Sequence, residues 1–90
     1  MNKEEIVNKI TEGARSLRVL SIEYLERDGS NEGLRLVEPY SMRDSGTEKE
    51  AFFGFDIAKD GIRRFTTDRI IKVEITGDNF TPRNGWPVEF

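Results

Sequence analysis

The sequence predicts a mainly β domain of about five short antiparallel strands behind one N-terminal α-helix. Three observations carry that prediction. Apolar and polar residues alternate in short segments between Leu17 and Ile75, and clusters such as Asp28-Gly29-Ser30-Asn31 and Lys59-Asp60-Gly61 punctuate them as turns. Helical spacing is confined to the first residues. Ninety residues with 36% hydrophobic content supply one core and little more, so a single domain is expected.

The helix is predicted over 2–13. Asn2 and Glu5 have capping-box spacing, Ile6, Val7, Ile10 and Ala14 share one stripe, and Gly13 offers a stop. So short a helix is marginal alone, so its stripe is expected to lie on a sheet. Leu17 to Leu25 reads as the first strand, with Leu17 and Val19 signalling a register change or bulge. A hairpin turn follows, and Leu34 to Glu38 returns with Leu34 and Leu36 on one side and Arg35 and Val37 on the other, ended by Pro39. Asp44 to Glu50 is an acidic loop, with Ser45-Gly46-Thr47 its mobile tip.

Ala51 to Ile57 is the most apolar stretch, and its alternation assigns Ala51, Phe53, Phe55 and Ile57 to the core. Phe52 and Gly54 then face the other way, where a ring beside bare backbone leaves a shallow concavity for a flat group. The competing reading tucks Phe52 under the helix. Ile71, Val73 and Ile75 mark the last strand, and the barrel is expected over 17–76. The tail over 77–90 holds Phe80, Trp86 and Phe90, rings that dock either on their own barrel or on another subunit.

The segment Gly61 to Ile70 places three arginines among strand-forming residues. As an extended chain it points Arg63, Phe65 and Thr67 one way and Ile62, Arg64 and Thr66 the other, and Arg69 opens the next strand. Guanidinium groups offer bidentate recognition of phosphate or carboxylate, and rings offer stacking surfaces. An edge strand with arginines solvated, or paired to Asp56, Asp60 and Asp68, is the alternative.

Composition excludes several function classes. With no cysteine and no histidine, the thiol nucleophile, imidazole base, zinc site and disulfide staple are all missing. No catalytic residues, metal site or cofactor are expected. A net charge of −3 argues against nonspecific duplex binding while permitting a local basic pocket. No apolar run reaches the roughly twenty residues of a bilayer span, and the start lacks the order of a secretory signal, so a cytoplasmic protein without membrane attachment is expected.

Four pieces occur in an order with a family counterpart: Tyr24; Arg35, Glu38 and Pro39; Phe52-Phe53-Gly54-Phe55-Asp56; and Arg63, Phe65, Asp68, Arg69 and Ile70. Together, from about Ile10 to Ile75, the chain resembles the WYL domain. That resemblance implies an Sm-like, SH3-type barrel and a ligand-sensing or nucleic-acid-binding regulator, a class often dimeric and often joined to a helix-turn-helix domain. It implies a ligand site made of Tyr24, Arg35, Arg63 and Arg69, with Phe52 as stacking platform and Glu38 and Asp68 orienting the arginines. The Trp-Tyr-Leu triplet of the family is replaced here by Ala51-Phe52-Phe53 or a neighbouring register, and no DNA-binding helices are present in the sequence.

Two function classes follow. The leading one is a binding module for a nucleotide, single-stranded oligonucleotide or other small anion that modulates a transcription or defence-system partner. The other is an interaction or homodimerisation subunit with no small ligand, working through an open sheet edge and the aromatic tail. An enzyme is not expected, because the chain lacks an activated nucleophile and a phosphate-cradling glycine loop.

Overall fold

In the computed structural model, which describes residues 1–46 and 48–90, the chain opens on helix α1, Lys3–Arg15. The capping box is formed: the Glu5 amide donates to Asn2 Oδ1 at 2.8 Å and the Asn2 amide to Glu5 Oε1 at 3.3 Å. Gly13 does not stop the helix. The Ser16 hydroxyl caps it by donating to Glu12 O at 2.8 Å, and Leu17, at φ 53°, turns the chain. Gly13 serves packing instead, because a Cβ there would lie 2.4 Å from Leu20 Cδ2.

Strands β1 (Arg18–Tyr24), β2 (Leu34–Ser45), β3 (Glu48–Asp56), β4 (Gly61–Thr66) and β5 (Ile70–Asn79) form one antiparallel sheet in the order β4-β3-β2-β1-β5. β4 and β5 stand at opposite ends of that order, yet the 3-10 turn Thr67–Arg69 joins them directly. A sheet whose two ends are tied by so short a link must curl round on itself. Inside the curl, Ile6 and Ile10 of α1 meet Ile22, Val37, Phe52, Phe65 and Val73. The expected bulge is present, as a register shift between Arg18 and Leu20 against β5.

Several expectations are corrected. β2 does not end at Pro39 but runs to Ser45. Its pairing with β1 stops at Leu20↔Val37, so Pro39 sits beyond the β1 ladder, and a register shift against β3 follows between Pro39 and Ser41. Much of the expected Asp44–Glu50 loop is strand, with pairs Asp44↔Lys49 and Ser45↔Glu48. Thr47, named in that loop, lies outside the described residues.

On β3, Ala51 is buried as expected, but from Phe52 onward the faces are reversed. Phe52, Gly54 and Asp56 point into the curl, whereas Ile57 is 38% exposed. The outward Phe55 is nevertheless buried, because the chain end covers it. Phe55, Val19, Tyr40 and Phe80 form a second core, with Trp86 and Val88 packed on it. The Glu89 amide donates to Tyr40 O at 2.8 Å, beside a parallel bridge to Ser41. Of the two docking modes open to the tail, the structure thus shows the one on its own sheet.

Candidate anion-binding site

β2 carries an inversion of the usual hydrophobic pattern. Leu34 and Leu36 are 69% and 47% exposed, while Arg35 between them is 5% exposed. A buried guanidinium requires counter-charges, and this one has three. Arg35 Nη2 pairs with Glu26 Oε1 and, at 3.1 Å, with Glu32 Oε2, while Nη1 lies 3.7 Å from Asp56 Oδ2. Nε and Nη1 of Arg35 and Oδ2 of Asp56 are buried without a hydrogen-bond partner.

The loop between β1 and β2 brings Glu26 to this point. The Ser30 amide donates to Asp28 Oδ1 and the Gly33 amide to Asn31 Oδ1, each at 2.9 Å, and Gly29 and Gly33 take positive φ. The two side-chain-capped turns fold the loop back over β2. Arg63, on the inward face of β4 with Phe65, reaches the same Glu26 Oε1 at 3.5 Å. Arg69, at the end of the 3-10 turn, donates from Nη1 to Glu26 O at 3.2 Å, and the Leu25 amide donates to Arg69 O at 2.9 Å. Three arginines from separate elements therefore converge on one residue.

Rings support the cations from below. The Arg35 guanidinium lies 5.8 Å from the centroid of Tyr24, and that of Arg63 lies 6.0 Å from Phe65. Tyr24 meets Phe65 edge to face at 5.1 Å and accepts from the Thr66 amide at 3.0 Å, which ties β1 to β4 under the cluster. Beside it an open hollow of about 380 Å³ is lined by Glu26, Arg27, Glu32, Lys59 and Arg63 among others. Lys59 Nζ sits 3.1 Å from Glu32 Oε2. That hydrogen-bonded ammonium, together with Arg35, holds the Glu32 carboxyl below its ordinary pKa. Such a surface combines fixed cations with carboxylates that are already bound to them.

The family model described as the WYL domain matches residues 5–75. The chain belongs to the WYL domain family. A search of curated proteins returned no match. Among solved structures, the WYL chain is similar to proteasome accessory factor B/C (PafBC) of Arthrobacter aurescens, with a TM-score of 0.76 and 23% identity. That likeness shows the fold; it covers 86% of this chain and spans 12% of the length of the other.

Within this WYL domain, Tyr24, Arg35, Arg63 and Arg69 are gathered in one place. The other three residues implied by the resemblance lie elsewhere. Phe52 has 0% exposure and stacks on Phe65 at 5.0 Å within the core, so its ring offers no free face. The hollow foreseen beside Gly54 is filled from within, for a Cβ at that residue would lie 2.4 Å from Val37 Cγ1. Glu38 orients none of the three arginines. It accepts from Arg83 Nε at 2.9 Å, Arg83 Nη2 at 3.1 Å and the Tyr40 hydroxyl at 2.9 Å, all under the tail. Asp68 is exposed and pairs with Lys3 of α1 at 3.1 Å.

Sequence reasoning missed Glu26, Glu32 and Lys59, and offered Asp56 only as a counter-charge for arginines in the alternative to a ligand site. The signal of the two glutamates was the charge alternation of Glu26-Arg27-Asp28 and Glu32 three residues before Arg35, which reads equally as solvated turn chemistry. Among the described residues no cluster of His, Cys, Asp or Glu is arranged to hold a metal ion, and no helix is long and apolar enough to cross a membrane.

Proposed function

We propose that this WYL domain is a regulatory module that senses a small anion or the phosphate of a nucleotide or single-stranded oligonucleotide. It would report occupancy to a regulatory protein partner in the cytoplasm. The observation that carries this reading is the shared contact of Arg35 and Arg63 with Glu26 Oε1, because an oxygen held by two guanidiniums marks where a ligand oxygen can be held. Arg27 and Lys59 at the hollow's rim add charge that draws an anion in. The rings of Tyr24 and Phe65 lie beneath the guanidiniums and are buried, so they back the cations rather than receive a base. Charge therefore dominates recognition over stacking.

The test is a thermal-shift and calorimetric screen of inorganic phosphate, mononucleotides and short single-stranded oligonucleotides at low and moderate salt. A ligand at a hundred times its Kd adds about 2.7 kcal/mol of stability. Binding should weaken with salt and disappear in Arg63→Ala while the melting temperature of the free protein stays near that of the wild type. No shift with any probe at low salt, or undiminished binding by Arg63→Ala, would overturn the reading.

A further inference from the structure

The anion site is already filled by the chain itself. We infer that the Glu26 carboxylate is an internal competitor, which an incoming phosphate must displace from Arg35 and Arg63 in order to bind. This deepens the anion-sensing reading above and rests on it.

Four observations carry the inference. Glu26 Oε1 is shared by two guanidiniums from different strands, an arrangement a phosphate oxygen can reproduce. Glu26 belongs to a loop, and its main chain is held independently of its carboxylate by Arg69 Nη1 on its carbonyl and by its amide donating to Ser30 O at 2.8 Å. The side chain can therefore turn away while the loop stays closed. Glu26 also lines the open hollow, so a departing carboxylate has water to enter and an arriving anion has a path. Finally, Arg35 is 95% buried and its Nη1 faces Asp56 Oδ2 at 3.7 Å, so its guanidinium stays anchored when the Glu26 carboxylate turns away.

The consequence is a threshold. A monocarboxylate offers nothing that Glu26 does not already supply, whereas a phosphate brings more charge and a third acceptor oxygen. Occupancy also frees a carboxylate into the hollow, so ligand binding changes the surface beside the site and a partner has something to read.

Glu26→Gln tests this, since the amide keeps the shape and one acceptor and removes the charge. Asp28→Asn removes an equal charge from the rim of the same hollow, where Asp28 touches neither Arg35 nor Arg63. With inorganic phosphate and a nucleoside monophosphate as probes, Glu26→Gln should bind at least about tenfold tighter than wild type and Asp28→Asn within about twofold. Equal binding by wild type and Glu26→Gln overturns the inference and leaves the anion-sensing reading standing. An equal gain from Asp28→Asn also overturns it, since the effect is then long-range charge. Binding by neither chain overturns both. A readout on the wild-type protein guards against a poorly folded variant: the Glu26 carboxyl carbon resonance should move to that of a solvated glutamate as phosphate is added. A resonance that stays put at saturation defeats the inference.

Discussion

Arg83 grips Glu38 with two parallel hydrogen bonds, Nε to Oε1 at 2.9 Å and Nη2 to Oε2 at 3.1 Å, while its guanidinium lies 3.9 Å from the centroid of Phe55. Planar, bidentate and stacked, this contact needs arginine. Arg83→Lys should therefore loosen the tail nearly as much as Arg83→Ala. The expected outcome is a red-shifted Trp86 fluorescence and faster exchange of the Glu89 amide, with protection of the β1 and β5 amides retained. Unchanged Glu89 exchange in Arg83→Ala would show that the apolar contacts of the tail suffice.

Gly54→Ala should destabilise the fold, because the added methyl meets Val37 Cγ1 at 2.4 Å with Glu38 O and Phe52 Cε2 each at 3.1 Å. Overpacking of this kind costs about 1–3 kcal/mol. At roughly 4–8 °C per kcal/mol for a domain of this size, the melting temperature should fall by several degrees. A melting temperature equal to wild type would mean that the Val37 side chain yields.

Two ion pairs offer a contrast between burial and exposure. Arg35→Ala would leave Asp56, 1% exposed, without its ion-pair partner and Glu26 with Arg63 alone, and losing a buried partner costs about 3–5 kcal/mol. Asp68→Asn breaks only a surface pair with Lys3 and should shift stability by less than about 0.5 kcal/mol. Chemical denaturation of both variants checks the ordering. An Arg35→Ala chain as stable as wild type would remove the structural half of this argument.

Stability should fall at both ends of the pH scale, for opposite reasons. Burial, aided by the Glu38 carboxylate, raises the Tyr40 pKa above 10.0, although the Arg83 amide bond pulls the other way. The folded state thus holds that proton more tightly than the unfolded chain. Its contribution is complete below pH 10.0 and is lost as pH rises beyond it. Glu32 is lowered below 4.5 by Lys59, so its contribution is complete above that value and lost as pH falls through the folded pKa. Melting curves against pH should show the alkaline loss removed by Tyr40→Phe and the acid loss reduced by Glu32→Gln.

The parts legible in the sequence were those set by local chemistry. Asn2 and Glu5 needed no distant partner to define a helix start, and the period-two placement of Arg63 and Phe65 survived because β4 is regular. What was hidden depended on distant residues. Alternation alone put Phe53, Phe55 and Ile57 inside, yet Asp56 takes the inward place because Arg35 is there to meet it, and Phe55 is buried by Trp86 and Phe80, residues far along the chain. The arginines could be recognised as a set, whereas Glu26 could not, because a carboxylate in a hairpin turn looks like any solvated charge until the fold closes over it.

The parallel bridge between Ser41 and Glu89 has a consequence for behaviour in crowded solution. β2 extends past Leu20↔Val37, where its pairing with the start of β1 stops, and bare main-chain amides and carbonyls there would invite any extended polypeptide to add on and start a fibril. Glu89 takes up the part of that stretch at Tyr40 and Ser41. Pairing there leaves less open edge to solvent, and Trp86 and Phe80, rings that would promote association if exposed, are packed against the same sheet.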